Sequence, residues 1–123
     1  MRRAGRIVAL VLERLGKAAV PGITTGELDR LAAELIVSFG AEPTFYGLYG
    51  YPGHVCISIN DEVVHGIPGE RMLKEGDIVS FDVGATVEGR IADGAATFGV
   101  GAIDAEAEKL LRATRKALEK GIA

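Results

Sequence analysis

Residues 77–100 read DIVSFDVGATVEGRIADGAATFGV, two runs of small and apolar residues that meet at Glu88-Gly89. Both runs are rich in β-branched residues, so the stretch predicts the two strands of a hairpin. Each strand contains one aspartate, Asp82 or Asp93. Aspartate is rare inside strands, because its carboxylate competes for the ladder hydrogen bonds and is costly to bury without a partner. A bound cation is the most economical explanation for both residues.

The register of this hairpin decides whether the two aspartates can meet. With a two-residue loop at 88–89, Gly84 faces Asp93, and Asp82 lies two positions further along its strand on the same face. Diagonal neighbours across an antiparallel pair are roughly 7–8 Å apart. At that separation two carboxylates can flank one metal ion, or two ions about 3.5–4 Å apart. A slip of one residue would move Asp93 to the other face.

Two alternatives to this interpretation follow from the residue types. Glu-Gly is a weaker hairpin signal than Asn-Gly, because the primed turns need a positive φ at both central positions, so a bulge at Gly89 is the alternative turn. The carboxylates could instead be satisfied by backbone N–H groups or by Arg90. Carboxylate oxygens suit Mg²⁺, Mn²⁺ or Ca²⁺, and an added imidazole widens the choice to Zn²⁺, Fe²⁺ or Co²⁺.

The composition limits the class of protein. A chain of 123 residues with 48% apolar and 25% charged residues predicts one small domain with a core. The net charge is −3 and the 14 Lys and Arg residues are dispersed, which gives no support for a nucleic-acid partner. One cysteine excludes an intramolecular disulfide, and the first residues contain no uninterrupted apolar signal core. We therefore expect a cytoplasmic protein without a membrane partner, since no apolar run approaches about 18 residues.

Three segments place apolar residues at three- and four-residue intervals, which is typical of amphipathic helices. The first covers 2–19 and the second begins at the capping-box pair Thr24 and Glu27. Gly40 can end the second helix, and Asp104 can cap the third. Alternating residues at 55–59 predict a strand, and a short strand is expected at 62–68. This order predicts an α+β fold over 1–123, with an antiparallel sheet covered on one face by helices.

Two further features are candidates for a site. Residues 41–53 combine prolines and glycines with most of the aromatic residues, which predicts a long loop. Such a loop either lines a pocket for apolar groups or caps the edge of the sheet. His65 follows two valines and precedes Gly66, although a lone histidine is more often an ordinary surface or core residue.

Six segments share the pattern of one enzyme family. They are GRIV at 5–8, GITTGELD at 22–29, GYPGHVCISIN at 50–60, EVVHGIP at 62–68, GDIVSFDVG at 76–84 and ADGAATF at 92–98. Together they run essentially from end to end and closely resemble the type I methionine aminopeptidases of bacteria. The resemblance implies half of the pita-bread fold that proline-specific aminopeptidases, prolidases and creatinase also share. The complete fold has two pseudo-symmetric α+β halves with a dinuclear metal centre between them.

The resemblance also implies roles for the charged residues. Asp82 and Asp93 match the two aspartate metal ligands of the family, and His65 matches the histidine that contacts substrate and assists the tetrahedral intermediate. In the family, a metal-activated hydroxide attacks the first peptide bond while the metals polarise its carbonyl and hold the free α-amino group. The expected cofactor is a divalent metal, Co, Mn, Fe, Zn or Mg, in a two-metal site if the centre is assembled.

Four residues match the pocket for the methionine side chain. Tyr51 and Cys56 stand at wall positions of that pocket. Phe45 and Leu48 stand where other family members often have different residues. His54 occupies a loop position that has no ligand role in the family.

The chain ends at Ala123, before the family's second half supplies a histidine and two glutamates to the metals. The sequence therefore predicts a half-domain: a truncation, a naturally short relative, or a half-fold built deliberately. A second copy in a homodimer about a two-fold axis, or a complementary C-terminal half, could complete the site for a peptide with a free N-terminus. The alternative is a non-catalytic half-fold that acts as a structural or binding module.

Overall fold

The computed structural model describes residues 1–123 and shows three helices and four strands. The elements are α1 (Arg2–Ala18), α2 (Thr25–Ser38), β1 (Glu42–Pro43), a 3-10 helix (Leu48–Gly50), β2 (Cys56–Ile59), β3 (Ile78–Val87), β4 (Arg90–Gly99) and α3 (Ala105–Ile122). All strand pairs are antiparallel, so the fold is α+β. No helix is both long enough and apolar enough to cross a membrane.

Strand β3 lies at the centre of the sheet. It pairs along its whole length with β4 on one edge and with both β1 and β2 on the other. In the β3–β4 hairpin, Gly84 pairs with Asp93 and Asp82 pairs with Ala95. The predicted register is confirmed, and the two aspartates share a face.

The hairpin turn has two residues and no bulge. Glu88 and Gly89 have φ values of 51° and 70°. Positive φ at both positions is what a primed turn requires, and it matches the twist of the flanking strands. The alternative of a bulge at Gly89 is therefore wrong, although Glu88 pays the conformational cost of a left-handed backbone.

The core lies between α1, α2 and one face of the sheet. Helix α1 packs on β3 and β4, and α2 packs beside α1. Helix α2 begins in the predicted way, since the side chain of Thr24 caps it in a complete capping box with Glu27. The buried residues of these elements are Ala4, Ile7, Val8, Val11, Leu15, Leu28, Ala32, Ile36, Val79, Phe81, Val83, Ala85 and Val87. Neither α1 nor α2 covers the opposite face of the sheet.

One expectation about the elements is wrong, and α3 packs differently from α1 and α2. Residues 62–68 form no strand, because His65 adopts a left-handed φ of 59° that turns the chain away from an extended path. Helix α3 is capped by Asp104 as predicted, but it buries no residue. Only α1 and α2 therefore cover the sheet, and the apolar side of α3 remains exposed, with Leu118 at 62%.

Candidate metal centre

Asp82 and Asp93 lie on the sheet face that the helices leave open. Asp82 is partly buried on the central strand, between Cys56 of β2 and Ala95 of β4. Its Oδ1 atom is buried and has no hydrogen-bond partner. Neither Arg90 nor a backbone N–H supplies one, so the proposed alternative partners do not satisfy this oxygen. A buried acceptor without a partner is costly, and a cation would satisfy it.

The electrostatics of Asp82 also favour a cation. Burial, followed by the adjacent carboxylate of Asp93, raises the pKa of Asp82 to about 6, and the charge of His65 acts weakly in the opposite direction. Two carboxylates so close repel each other when both are ionised. A divalent ion between them would remove both the repulsion and the burial penalty.

The two carboxylates fit a metal ion as part of its coordination shell. Hard oxygen ligands of this kind suit divalent cations. No group of three or more His, Cys, Asp or Glu side chains converges anywhere in the chain in an arrangement that could hold a metal. Asp82 and Asp93 could therefore provide only part of the coordination shell of a metal ion.

His65 is exposed and lies on the irregular segment that connects β2 to β3. The next residue, Gly66, is hydrogen-bonded to β2 through both its carbonyl oxygen and its N–H. Its carbonyl oxygen accepts the Ile57 N–H at 2.9 Å, and its own N–H donates to Ser58 Oγ at 3.1 Å. This attachment holds the His65 segment beside the sheet face that contains Asp82.

Tyr51 and Cys56 lie next to this segment. The Tyr51 hydroxyl is 3.0 Å from the carbonyl oxygens of both Val55 and Gly66. Cys56 is buried and pairs directly with Asp82 in the sheet. Burial is the largest cause that raises the pKa of the Tyr51 hydroxyl and of the Cys56 thiol, and Asp82 adds to both effects. Both groups are therefore neutral near pH 7.

Phe45 and Leu48, the two other residues predicted for the pocket, differ in how closely they pack against the sheet. Phe45 is half-buried against Gly84, where an added Cβ would lie 2.8 Å from Phe45 Cε1. Since Gly84 faces Asp93 across the hairpin, the Phe45 ring reaches the same side of the sheet as the carboxylates. Leu48 lies on the 3-10 helix and is 48% exposed.

Asp29 was not predicted from the sequence, although it organises the start of β2. Its Oδ1 accepts the backbone N–H groups of His54 at 2.7 Å and Val55 at 3.0 Å, and its Oδ2 lies 2.7 Å from His54 Nδ1. The ring of Tyr46 stacks on His54 with a centroid distance of 4.6 Å. The His54 ring is thus engaged by Asp29 and Tyr46, which agrees with the expectation that His54 is not a metal ligand. The sequence signal for Asp29 is its place as the last residue of the family segment GITTGELD at 22–29.

One groove lies in another part of the molecule. It has a volume of about 480 Å³ and is lined by Arg14, Lys17, Ala18, Leu31 and Leu35. These residues lie on α1 and α2, on the helical side of the sheet. The groove therefore plays no part in the site that contains Asp82.

Comparison with known proteins gives one consistent answer. A family model described as Metallopeptidase family M24 matches residues 1–123. A methionine aminopeptidase of Clostridium perfringens is 53% identical over 122 residues, which are 99% of this chain and 49% of that protein. Methionine aminopeptidase 1 of Bacillus subtilis is 51% identical over 122 residues, again 99% of this chain and 49% of that protein. The crystal structure of methionine aminopeptidase from Thermotoga maritima matches with a TM-score of 0.95 and 43% identity, covering 98% of this chain and 49% of that one. The chain thus spans about half the length of these relatives.

Proposed function

The chain belongs to metallopeptidase family M24, and we propose that it is a half-domain of a methionine aminopeptidase whose metal site is completed by a second half. Its structure is half of a pita-bread fold, as the match to the Thermotoga maritima enzyme shows. The proposed reaction is the removal of an N-terminal methionine from a peptide. Its proposed cofactor is a divalent metal, Co, Mn, Fe, Zn or Mg, with two ions in the complete site.

The observation that supports this proposal most strongly is the buried Asp82 Oδ1 atom without a partner, beside Asp93 on an open sheet face. A structural carboxylate pair would be satisfied by donors from its own chain. This pair instead lies on the sheet face that α1 and α2 do not cover, and no donor of the chain satisfies Asp82 Oδ1. A cation held between this face and a second half would satisfy both carboxylates.

The residues of this chain would divide the work of hydrolysis. Asp82 and Asp93 would hold the metal, which supplies Lewis-acid chemistry to the carbonyl and to water when it is bound. His65 would donate a hydrogen bond to the carbonyl oxygen of the scissile peptide as negative charge develops there. A neutral wall formed by Tyr51 and Cys56 suits an uncharged thioether side chain.

The remaining wall of the proposed pocket comes from the aromatic loop. Phe45 is held against the sheet by Gly84, so it presents an apolar ring near the carboxylates. Leu48 is exposed on the 3-10 helix, where it could close the pocket only from the outside. Apolar walls with few polar groups are typical of sites for apolar side chains.

Two sources could provide the missing ligands. A complementary C-terminal half would supply them directly. A second copy, related by a two-fold axis, would bring four carboxylates and two histidines to one interface. In both cases the partner would cover the open sheet face, so metal binding and association would strengthen each other.

Metal titration tests the carboxylate site. We expect the chain to bind Mn²⁺ or Co²⁺ in isothermal titration, and the double substitution Asp82→Asn with Asp93→Asn to abolish that binding, because it removes both charges at nearly constant volume. The matched control replaces two exposed aspartates by Asp61→Asn and Asp104→Asn, and it should bind like the parent chain. Equal heats for all three proteins would contradict the proposal.

Hydrolysis of a tripeptide that begins with methionine separates catalysis from binding. The assay is run on the metal-loaded chain, and an activity lost with Asp82→Asn and Asp93→Asn would support the proposed reaction. The alternative is a non-catalytic half-fold that serves as a structural or binding module. Metal-independent folding together with no titration by Mn²⁺ or Co²⁺ would favour that alternative.

A further inference from the structure

His65 has an unusual backbone for a residue that is not glycine. Its φ of 59° lies in the left-handed region, which a Cβ atom disfavours. Such a conformation persists only where the surrounding structure fixes it. The contacts that fix it involve the residue that follows, Gly66.

Gly66 is packed tightly against β2 and hydrogen-bonded through both of its backbone polar groups. An added Cβ at this position would collide with the carbonyl oxygen of Ile57. Its N–H, which belongs to the same peptide plane as the His65 carbonyl, donates to Ser58 Oγ at 3.1 Å. Its carbonyl oxygen accepts from the Ile57 N–H at 2.9 Å and from the Tyr51 hydroxyl at 3.0 Å. Both peptide planes that flank Gly66 are therefore fixed.

Two of these three contacts come from side chains. Ser58 is buried on β2, so its hydroxyl position is set by the sheet. Tyr51 also contacts the Val55 carbonyl at 3.0 Å, so one hydroxyl joins the aromatic loop, the start of β2 and the His65 segment. The raised pKa of Tyr51 keeps its proton available for this contact over the physiological pH range.

We propose that Tyr51 and Ser58 are positioning residues for His65: by holding Gly66 they keep His65 in its left-handed conformation, beside Asp82. The inference rests on the proposed function for the role of His65. It assigns to Tyr51 a second task beyond lining the pocket, because the contact uses the hydroxyl and leaves the ring free to contact a substrate. Ser58 has no other role in the site.

A double-mutant cycle on the metal-free chain tests the inference. We expect His65→Gly to raise the equilibrium constant for folding by about threefold, because the relief of left-handed strain exceeds the entropic cost of glycine in the unfolded chain. In the Ser58→Ala and Tyr51→Phe backgrounds this gain should disappear, because His65 is then already free to relax. If Ser58 and Tyr51 only stabilised the fold, their substitutions would lower stability but leave the gain from His65→Gly unchanged. The same gain in every background would therefore overturn the proposal.

Two matched controls belong to this cycle. Tyr46→Phe removes a hydroxyl from an exposed tyrosine of the same loop, and Ser80→Ala removes a side-chain hydrogen bond to Thr97 on the same sheet face. Neither residue contacts Gly66, so both should be additive with His65→Gly. If either control deviated from additivity with His65→Gly as much as Ser58→Ala does, the proposal would also be overturned.

A spectroscopic readout keeps the test valid if Ser58→Ala does not fold. The nuclear Overhauser effect between the amide proton and the α proton of His65 reports a positive φ in the Tyr51→Phe protein, because these two protons are closest at a φ of about +60°. We expect this effect to weaken in Tyr51→Phe and to stay unchanged in Tyr46→Phe, and an unchanged value in both would contradict the inference. None of these measurements uses metal or substrate, so a failure of the proposed function would not alter them.

Discussion

Asp82 is the residue whose surroundings conflict most with its charge. It stands on the central strand, partly buried, with one carboxylate oxygen unpaired and a second carboxylate beside it. An apolar residue of the same shape is often at least as stable in such a place, so the presence of this carboxylate favours a functional role. The raised pKa is the measurable consequence of this conflict.

The pH dependence of stability follows from that shift. The pKa of Asp82 is raised by folding from 3.8 to about 6, so the folded state binds the proton more tightly than the unfolded state. The resulting stabilisation is complete below about pH 4 and is lost as the pH rises through 6. We expect the urea midpoint of the metal-free chain to fall across this window, and Asp82→Asn to remove that part of the fall. If the urea midpoints of the parent chain and of Asp82→Asn had the same pH profile, the fall could not be assigned to Asp82. Asp61→Asn serves as the control substitution.

Helix α2 and strand β2 are connected through one buried carboxylate. Asp29 lies on α2 and receives two backbone N–H groups and one imidazole nitrogen from the residues that begin β2. Since β2 supplies Cys56, Ser58 and the anchor for Gly66, its start must be placed accurately for the site to form. The stack of Tyr46 on His54 extends the same connection to the aromatic loop.

The substitution Asp29→Ala tests this connection. It leaves two N–H groups without acceptors in a buried place, so we expect a loss of about 2–4 kcal/mol in the free energy of unfolding. The control Asp104→Ala removes an exposed helix cap and should cost only about 1 kcal/mol. Chemical denaturation measures both, and faster amide exchange at Val55 would locate the effect. A loss no larger than that of the control would contradict the structural role of Asp29.

The whole molecule has one covered and one open sheet face. Helices α1 and α2 bury the first, whereas the second displays Asp82, Asp93, the His65 segment and Phe45. Helix α3 packs little against the rest and leaves its apolar side exposed. A surface of this kind is typical of a protein that meets a partner, and the relatives have about twice the chain length.

The dependence of metal binding on protein concentration tests completion by a second copy. If two chains share the site, the apparent affinity for Mn²⁺ should rise with chain concentration, because binding and association are linked. Native mass spectrometry with Mn²⁺ should then show a dimer, and Asp82→Asn with Asp93→Asn should remain monomeric. A strict monomer at high concentration, with metal affinity constant over a 100-fold range of chain concentration, would rule out the homodimer and favour a separate second half.

The sequence by itself determined the hairpin and the common face of its two aspartates. Side chains alternate along a strand with a period of two, and a two-residue turn fixes the register, so local chemistry is sufficient. The same holds for the caps of α2 and α3, where Thr24 and Asp104 accept from residues three positions away.

Only the tertiary structure decided how the remaining residues serve the site. Asp29 meets His54 across 25 positions of sequence, and Tyr51 meets Gly66 across 15. The left-handed backbone of His65 depends on such contacts, because this conformation persists at a residue other than glycine only where the surrounding structure fixes it. Partners this distant are brought together by the packing of α2 and β2, and no local pattern in the sequence records that packing.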